Sequence, residues 1–297
     1  MVSNLERISS LRRRIERQGC IRVIESHSPI AALLAERTRV DMQSSGFREF
    51  DAFWSSSLTD SAVSALPDTE FLSIDTRLRR AANVLDVTTL PMIFDCDTGG
   101  AIEHLARRIP QFERLGLSGV VIEDKVGLKR NSLINEHGFH QQASVGEFCE
   151  KVTQARLAKT IDDFMVVARC ESLILGAGLE DALTRCIAYV DAGADAVLIH
   201  SKSRTADEVF AFARAFRRQC PDVILICVPT TYNEVVFADF CSEGFNAVIY
   251  ANQPFRAAFS AIQKVAIDIL RFDRTCEVDR YCEPIANVLD LFTRFPA

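Results

Sequence analysis

The sequence predicts an α/β protein built as a single (β/α)8 barrel of the TIM type, and three observations favour this fold. Short apolar, β-rich runs alternate with amphipathic stretches along all 297 residues. Eight such runs are present, which is the number of parallel strands that closes a barrel. No stretch rich in Pro, Gly or Ser divides the chain. We therefore expect one domain over residues 1–297, with extra helices at about 1–19 and about 274–297.

Eight segments have the length and apolar character of buried parallel strands. They are residues 20–26, 49–54, 91–97, 119–124, 164–170, 195–201, 223–229 and 246–252. Amphipathic segments between them predict helices at residues 101–116, 178–193 and 206–220. A doubly wound open sheet is the alternative fold, but the turn after the first strand lacks the G-x-G-x-x-G motif typical of that class. Residues 37–50 form a connection longer than a usual helix-to-strand loop.

Composition excludes several classes of partner. The chain has 34 basic and 40 acidic residues, a net charge of -6, and no basic stripe interleaved with aromatic residues, so we expect no nucleic-acid partner. It starts without an apolar signal segment and contains no run long enough to span a membrane, so we expect no membrane partner either. Ten cysteines form no C-x-x-C pair and mostly lie in apolar runs. This pattern is typical of buried thiols in a cytoplasmic protein.

Polar side chains interrupt the apolar strands repeatedly at their carboxyl ends. In a barrel these ends converge on one face, where active sites are built. The residues concerned are Asp95, Asp97, Glu123, Asp124, Arg169, Glu171, His200 and Asn252. One polar residue at the end of one strand means little, but the repetition over five strands indicates a site.

Three of these carboxylates predict a metal site. Asp95, Asp97 and Glu123 supply hard oxygen ligands, which favour Mg²⁺, or Mn²⁺ as a substitute, over zinc. Asp97 alone would be read as the cap of the next helix. Three carboxylates at one mouth repel one another unless a cation or shared protons compensate, and we therefore favour the metal.

Basic and amide side chains are expected on the other side of the same mouth. Lys129, Asn131 and Ser132 lie in a long polar segment after the fourth strand, whose length suits a mobile lid. Arg169 and His200 arrive from the fifth and sixth strands. A metal facing such donors suits a small substrate that carries a carboxylate or enolate together with a phosphoryl group.

Two of these assignments have structural alternatives. Arg169 is equally well explained by a buried ion pair with Glu171 or Asp95. His200 is equally well explained as a hydrogen-bonded core histidine, and His27, at the end of the first strand, has a similar position at the mouth.

The run Glu123-Asp124-Lys125, followed after five residues by Asn131-Ser132, matches the pattern EDKxxxxxNS. With this run the chain resembles the phosphoenolpyruvate phosphomutase family, in the isocitrate lyase and phosphoenolpyruvate mutase superfamily. The similarity continues through DxDTG at 95–99, VARxE at 167–171, AGADAxLIHSK at 192–202 and VPT at 228–230. It covers most of the chain from the first strand to the last helix.

The resemblance implies a (β/α) barrel whose eighth helix is exchanged between subunits, usually in a homotetramer arranged as a dimer of dimers. It implies Mg²⁺ at the strand ends and the interconversion of phosphoenolpyruvate and 3-phosphonopyruvate. That isomerase reaction forms the carbon–phosphorus bond of phosphonate natural products, antibiotics among them.

The resemblance also implies roles for individual residues. Asp95, Asp97 and Glu123 would form the metal shell, partly through water. Ser56, Ser57 and Leu58 would hold the carboxylate and carbonyl end of the substrate, and Asp68 would lie beside the transferring phosphoryl group. Lys129 and Asn131 would act as gate residues, while Ser132, Arg169 and His200 would complete the phosphoryl pocket. Lyases of the superfamily carry a catalytic cysteine in a KKCGH-like motif. Residues 125–132 contain no cysteine, which argues against isocitrate or methylisocitrate cleavage.

The chain also departs from the family pattern. Both glycines of the family's WGSGL motif are serines here, Ser55 and Ser57, and Thr231 stands where a lysine usually follows VPT. Residues 66–73 look closer to phosphonopyruvate hydrolase, a sister enzyme that typically has Thr at the position of Asn131. The alternatives are therefore that hydrolase, a mutase for a carboxy-substituted phosphoenolpyruvate, or a catalytically inactive barrel that serves as an assembly partner.

Overall fold

Eight parallel strands close into a barrel in the computed structural model, which describes residues 2–43, 46–127, 129, 131–132 and 141–293. The fold class predicted from the sequence is thus confirmed. Contacts within the chain define two compact units, Met1–Asn252 and Gln253–Ala297.

All the strands found among the described residues lie in the first unit. They are β1 (Ile21–Glu25), β2 (Val40–Asp41), β3 (Phe47–Arg48), β4 (Ala52–Ser55), β5 (Met92–Asp95), β6 (Gly119–Glu123), β7 (Lys125–Val126), β8 (Gln141–Gln142), β9 (Met165–Cys170), β10 (Ala196–Ile199), β11 (Ile224–Cys227) and β12 (Ala247–Tyr250). The barrel follows the order β1-β12-β11-β10-β9-β6-β5-β4 and closes between β4 and β1. Seven of its eight strands lie within a predicted segment, and β4 overlaps the segment 49–54 but ends one residue beyond it.

The helices lie between the strands and at both ends of the chain. In the first unit they are α1 (Asn4–Gln18), α2 (Pro29–Arg37), α3 (Ser57–Val63), α4 (Ile74–Leu85), α5 (Ile102–Leu115), α6 (Val145–Leu157), α7 (Ser172–Leu175), α8 (Leu179–Asp191), α9 (Asp207–Gln219) and α10 (Phe237–Ser242). The three predicted helices correspond to α5, α8 and α9. Gly116 ends α5 with a φ of 88°, a left-handed conformation that glycine adopts without a steric penalty.

The barrel core and helix α1 together fill the amino-terminal end of the barrel. Inward-facing residues of the strands, such as Val121 and Leu198, form one buried cluster together with Leu11 and Ile15 of α1. Arg7 of the same helix is buried and donates to backbone carbonyls of Leu85 and Thr88 at 2.8 Å. Helix α1 therefore packs at the amino-terminal end of the strands, and the carboxyl ends form the mouth.

Two short hairpins stand outside the barrel. Strands β2 and β3 pair antiparallel within the 37–50 connection, so this unusually long loop carries a hairpin of its own. Strands β7 and β8 pair antiparallel and join the two ends of the predicted lid segment. Residues 128, 130 and 133–140 of that segment lie outside the described part of the chain.

The second unit contains two helices, α11 (Gln253–Phe272) and α12 (Ile285–Thr293). Within it, Asp268 accepts hydrogen bonds from Lys264 at 2.9 Å and from Tyr281 at 3.0 Å. Several large apolar side chains of this unit are exposed, among them Ile262 and Leu270. Among the helices that the structure describes, we find none with the length and apolar content that a membrane span requires.

Candidate active site

The mouth of the barrel gathers the residues that the sequence singled out. Asp95 ends β5, Glu123 ends β6, and Arg169 lies directly opposite Glu123 in the β6–β9 pairing. His200 follows β10. Every residue to which the family resemblance assigned a role, except Asp97, lines one cavity: Ser56, Ser57, Leu58, Asp68, Asp95, Glu123, Lys129, Asn131, Ser132, Arg169 and His200. Asp124 and Glu171, which the sequence also marked at strand ends, are not part of this lining. Asp97 lies behind this lining and contacts it through Lys129.

Lys129 lies among the carboxylates of the mouth. Its Nζ donates to Ser57 Oγ at 2.6 Å, to Asp68 Oδ1 at 2.8 Å, and to Asp97 Oδ1. Burial by itself would lower the pKa of Lys129, but Asp97, Asp95 and Asp68 outweigh it and raise that pKa. The side chain is therefore a buried ammonium group that neutralises part of the acidic cluster.

Asn131 contacts the same aspartate as Lys129. Its Nδ2 donates to Asp68 Oδ2 at 2.8 Å, so the two oxygens of Asp68 bind two residues of the predicted lid. Asp68 belongs to the connection between α3 and α4. Glu70 in the same connection accepts from the backbone N–H and the hydroxyl of Thr98, at 2.9 and 2.7 Å, which ties this loop to the turn that follows β5.

Asp95 is held from two directions. Its Oδ2 accepts from the Ser57 hydroxyl at 2.8 Å, and its Oδ1 accepts from the backbone N–H of Asp97 at 3.2 Å. Burial raises the pKa of Asp95, but the charges of Lys129 and Arg169 more than offset this and lower it. Asp95 is thus an ionised carboxylate in the lining of the cavity.

A second cluster joins Arg169 to Ser132. Arg169 Nε donates to Glu171 Oε1 at 2.5 Å and its Nη2 donates to Ser132 Oγ at 3.0 Å. The Ser132 hydroxyl also accepts from Lys125 Nζ at 2.7 Å and donates to Glu171 Oε2 at 2.7 Å. The ion pair with Glu171 that the sequence left open is present, and Arg169 also reaches the cavity. Both readings of Arg169 are therefore compatible with its position.

His200 and Glu123 have strongly shifted pKa values. His200 is 4% exposed, and burial first, then the charge of Arg169, lowers its pKa to about 4. Its Nδ1 has no hydrogen-bond partner among the described residues. Burial raises the pKa of Glu123 to about 7, and its Oε1 likewise accepts no hydrogen bond from the described residues. Two buried polar atoms are thus left for a ligand.

The charges of the mouth can be compared directly. Carboxylates outnumber basic side chains there. The carboxylates are Asp68, Asp95, Asp97, Glu123 and Glu171, and the basic side chains are Arg77, Lys125, Lys129 and Arg169. Carboxylate oxygens are the ligands that Mg²⁺ takes in proteins, so this excess suits a divalent cation.

The geometry indicates how such a cation would be held. In the described part of the chain, no three acidic, His or Cys side chains come together as a direct ligand set. Both oxygens of Asp97 already bind basic groups, Arg77 and Lys129. Mg²⁺ commonly keeps several waters and uses only one or two carboxylates. The site therefore fits a hydrated Mg²⁺, held by Asp95 and through water by Glu123, better than it fits a metal ion enclosed by protein ligands.

Sequence reasoning missed several residues around this cavity. Trp54, Val228, Thr230, Ala251 and Asn252 also line it; of these only Asn252 was noted among the polar strand ends. Arg77 is 1% exposed and binds Asp97. Nothing in the local pattern distinguishes it from the other arginines of α4, because its partners lie on other elements.

A parallel barrel whose mouth carries both acidic and basic side chains is typical of enzymes. The cavity suits a small anionic ligand bound beside a hydrated cation. The model of the phosphoenolpyruvate phosphomutase family matches residues 11–270. The chain belongs to this family, as its motifs suggested.

The similar proteins include members with different reactions. The phosphonopyruvate hydrolase of Variovorax sp. (strain Pal2) is 34% identical over 95% of this chain and 93% of its own length. The crystal structure of a phosphoenolpyruvate phosphomutase from Streptomyces platensis subsp. rosaceus matches with a TM-score of 0.88 at 36% identity, covering 96% of this chain and 95% of that one. A phosphonopyruvate hydrolase in complex with oxalate and Mg²⁺ matches with a TM-score of 0.84 at 32% identity, covering 97% and 95%. The relatives are thus enzymes of one superfamily, and they do not share one reaction.

Proposed function

We propose that this protein is a phosphoenolpyruvate phosphomutase, which interconverts phosphoenolpyruvate and 3-phosphonopyruvate by transfer of the phosphoryl group within one molecule. The observation that carries the proposal is Asn131, whose amide lines the cavity and donates to Asp68. An amide at this place occupies volume and offers N–H donors without acting as a base for water.

The metal end of the substrate is assigned to the acidic side of the cavity. Asp95 and Glu123 would hold Mg²⁺, and the bound ion would supply charge stabilisation for the enolate and carboxylate oxygens. Ser56 directly follows β4 and is the N-cap of α3, and Ser57 is the first residue of that helix. As the family resemblance implies, Ser56, Ser57 and Leu58 would contact the carboxylate and carbonyl oxygens of the substrate; all three line the cavity.

The phosphoryl end is assigned to the basic side. Arg169 and Ser132 are hydrogen-bonded to each other, so their donors are positioned before the substrate enters. His200 is held as a neutral imidazole by its low pKa and can donate one hydrogen bond without adding charge. In the forward direction the P–O bond to the enol oxygen breaks, the P–C3 bond forms, and the C=C bond becomes C=O. Charge spread over the phosphoryl oxygens in a loose transition state is met by these donors.

Hydrolysis of phosphonopyruvate to pyruvate and phosphate is the second candidate, and it is favoured by the 34% identity to the hydrolase from Variovorax. The same cavity would serve both reactions. The difference is access of water to the phosphoryl group during transfer, because a reactive phosphoryl group is lost to any well-placed water. A mutase must fill this space and a hydrolase must leave it open.

The experiment that decides is ³¹P NMR of the purified protein with phosphonopyruvate and Mg²⁺. We expect phosphoenolpyruvate as the main product, with little free phosphate. Asn131→Ala should lower the mutase rate at least ~10-fold, since one transition-state hydrogen bond to a charged group is lost. Asn83→Ala, at an exposed position of α4, serves as the control and should behave as wild type.

Three outcomes are informative. Phosphate as the main wild-type product would replace the mutase by the hydrolase. No turnover of phosphonopyruvate, together with turnover of a carboxy-substituted phosphoenolpyruvate, would point to the modified substrate. Absence of any turnover would favour the assembly partner without catalysis.

The cofactor, assembly and setting follow from the same proposal. We infer Mg²⁺ as the cofactor, with Mn²⁺ as a substitute, and the biosynthesis of phosphonate compounds in the cytoplasm as the setting. We also infer a homotetramer in which α11 is exchanged between subunits. The exposed apolar side chains of α11 support this assembly.

A further inference from the structure

We propose that Arg77 is a positioning residue, an inference that rests on the proposed function. Arg77 fixes the carboxylate of Asp97 and thereby sets the affinity of the barrel mouth for a divalent cation. Arg77 lies on α4, outside every motif that carries the family resemblance. It does not line the cavity, so it acts through Asp97.

The surroundings of Arg77 show what it holds. Its Nε donates to Asp60 Oδ2 at 2.9 Å, and its Nη1 donates to Asp97 Oδ2 at 3.0 Å. The guanidinium carbon lies 4.5 Å from the ring centroid of Phe94. A guanidinium group buried to this degree is kept only where carboxylates pair with it in good geometry. The fork therefore connects α3, through Asp60, to the turn that follows β5.

Asp97 is a residue whose conformation needs such support. Its φ is 56°, in the left-handed region that residues other than glycine rarely adopt. Its backbone carbonyl accepts from the N–H of Glu123 at 2.8 Å, and its Oδ1 binds Lys129. Its backbone N–H donates to Asp95 Oδ1 at 3.2 Å. By holding Asp97 in this conformation, Arg77 therefore also fixes Asp95 and Glu123, the two carboxylates that would hold the cation.

The chemistry of arginine suits this role better than that of lysine. A planar guanidinium group presents its N–H groups in a fixed fork, so that one side chain orients two carboxylates on different elements. An ammonium group on a flexible chain supplies the same charge without the fork. Arg77→Lys therefore removes the orientation and keeps the electrostatic field, which separates positioning from charge.

The test is the affinity for Mn²⁺ without substrate. Trp54 is the only tryptophan of the chain and lines the cavity, so its fluorescence provides a titration signal that does not require turnover. Free Mn²⁺ measured by electron paramagnetic resonance gives the same constant independently. Removing a group that orients a metal ligand typically costs 10–100-fold in metal affinity. We expect Arg77→Lys to raise the Kd for Mn²⁺ at least ~10-fold.

The matched control is Arg80→Lys. Arg80 lies one turn further along α4 and also binds Asp60, through its backbone carbonyl, together with Ser64 Oγ at 2.8 Å. It has no bond to Asp97 among the described residues. The same substitution here should leave the Kd within ~2-fold of wild type, because it orients no group of the metal site.

A second variant keeps the proposal testable if Arg77→Lys does not fold. In Asp60→Asn/Arg77→Gln, one buried cation and one buried carboxylate are replaced together, so Asp60 is not left as a charge without Arg77, and Asp97 keeps its contact with Lys129. Its Kd should also rise relative to Asp60→Asn alone. The increase should be smaller than for Arg77→Lys, since loss of the positive charge by itself favours a cation. Circular dichroism establishes that each variant is folded.

The outcomes separate this inference from the proposed function. If wild type binds no Mn²⁺, the metal-dependent function and this role of Arg77 fail together. If wild type binds Mn²⁺ and folded Arg77→Lys binds it equally well, the role of Arg77 is refuted while the proposed function stands. A similar loss in Arg80→Lys would show that α4 acts only as a structural support.

Discussion

At the barrel mouth, burial and the neighbouring charges together decide the protonation state of each side chain. Asp95 has a lowered pKa and Glu123 a raised one, although both are buried acids at neighbouring strand ends. Asp95 is close to Lys129 and also accepts hydrogen bonds, whereas Glu123 Oε1 accepts none from the described residues. A buried carboxylate is thus a fixed anion in one case and, in the other, a group with one oxygen that no described residue hydrogen-bonds.

The first prediction concerns the metal. Asp95→Ala should abolish activity, because it removes the carboxylate best placed to bind Mg²⁺, while the thermal unfolding transition should persist. EDTA should likewise remove the activity of wild type, and added Mg²⁺ or Mn²⁺ should restore it. The measurement is turnover of phosphonopyruvate followed by ³¹P NMR. Full turnover by wild type in metal-free buffer would contradict a metal-dependent reaction.

The second prediction concerns His200 and stability against pH. The pKa of His200 is about 4 in the folded chain and about 6.5 in an unfolded one. Between these values the unfolded chain binds a proton that the folded chain does not bind. Stability should therefore fall as the pH falls from about 6.5 to about 4, by up to about 3 kcal/mol from this group.

Urea unfolding of wild type and His200→Gln at several pH values checks this. The variant should show a weaker dependence over that window, whereas His104→Gln, at an exposed position of α5, should keep the wild-type dependence. Equal slopes for wild type and His200→Gln would show that His200 becomes protonated in the folded chain.

At the scale of elements, the lid segment and the loop carrying Asp68 meet. The described ends of the segment are paired as β7 and β8, and Lys129 and Asn131 both donate to Asp68. Gln142 of β8 adds a bond to Asp124 Oδ2 at 2.7 Å. The segment is thus anchored at its base by strand pairing and at the mouth by Asp68, with further bonds from Lys129 to Ser57 and Asp97.

The third prediction follows from this anchoring. Trypsin should cut after Lys129 or Arg130 more slowly when oxalate and Mg²⁺ are present, since closure protects the backbone. Asp68→Ala should speed the cleavage, because the bonds of Lys129 and Asn131 to Asp68 are lost. Asp86→Ala, at an exposed position at the end of α4, is the control. Cleavage rates that do not depend on the ligand or on Asp68 would show that the segment is not a gate. Arg130 itself lies outside the described residues.

The barrel strands could be predicted because buried parallel strands are apolar on both faces and stop at polar residues. Segments such as 119–124 and 195–201 show this directly, and β6 and β10 lie within them. The β2–β3 hairpin could not be predicted, since strands of two residues have no periodicity. Its residues appeared only as an unusually long connection.

The candidate site was predictable to the extent that it depends on strand ends. Asp95, Glu123 and Arg169 each mark the end of an apolar run, and a barrel brings such ends together. Contacts between residues on different helices, strands or loops leave no such pattern in the sequence. The bond of Arg77 to Asp97 joins residues 20 positions apart, and the contact of Lys129 with Ser57 joins residues 72 apart. Both depend on packing that no local pattern records.

At the scale of the whole molecule, the second unit carries a surface that a single chain leaves in water. Helix α11 has 20 residues, of which only Asp268 is buried. Ile262 is 69% exposed and Leu270 is 83% exposed. In α12, Ile285 and Leu289 are exposed as well. Apolar side chains concentrated in this way commonly mark a surface of association.

The fourth prediction is that the protein sediments as a tetramer at micromolar concentration. Ile262→Asp/Leu270→Asp should shift it to smaller species, because each carboxylate would have to be buried in the contact without a partner. Ser260→Asp is the control, since it adds a charge to the same helix four residues before Lys264, a spacing at which opposite charges attract. Sedimentation velocity distinguishes the species directly. A tetramer that survives Ile262→Asp/Leu270→Asp would place the subunit contacts elsewhere, and a wild-type monomer would overturn the proposed exchange of α11.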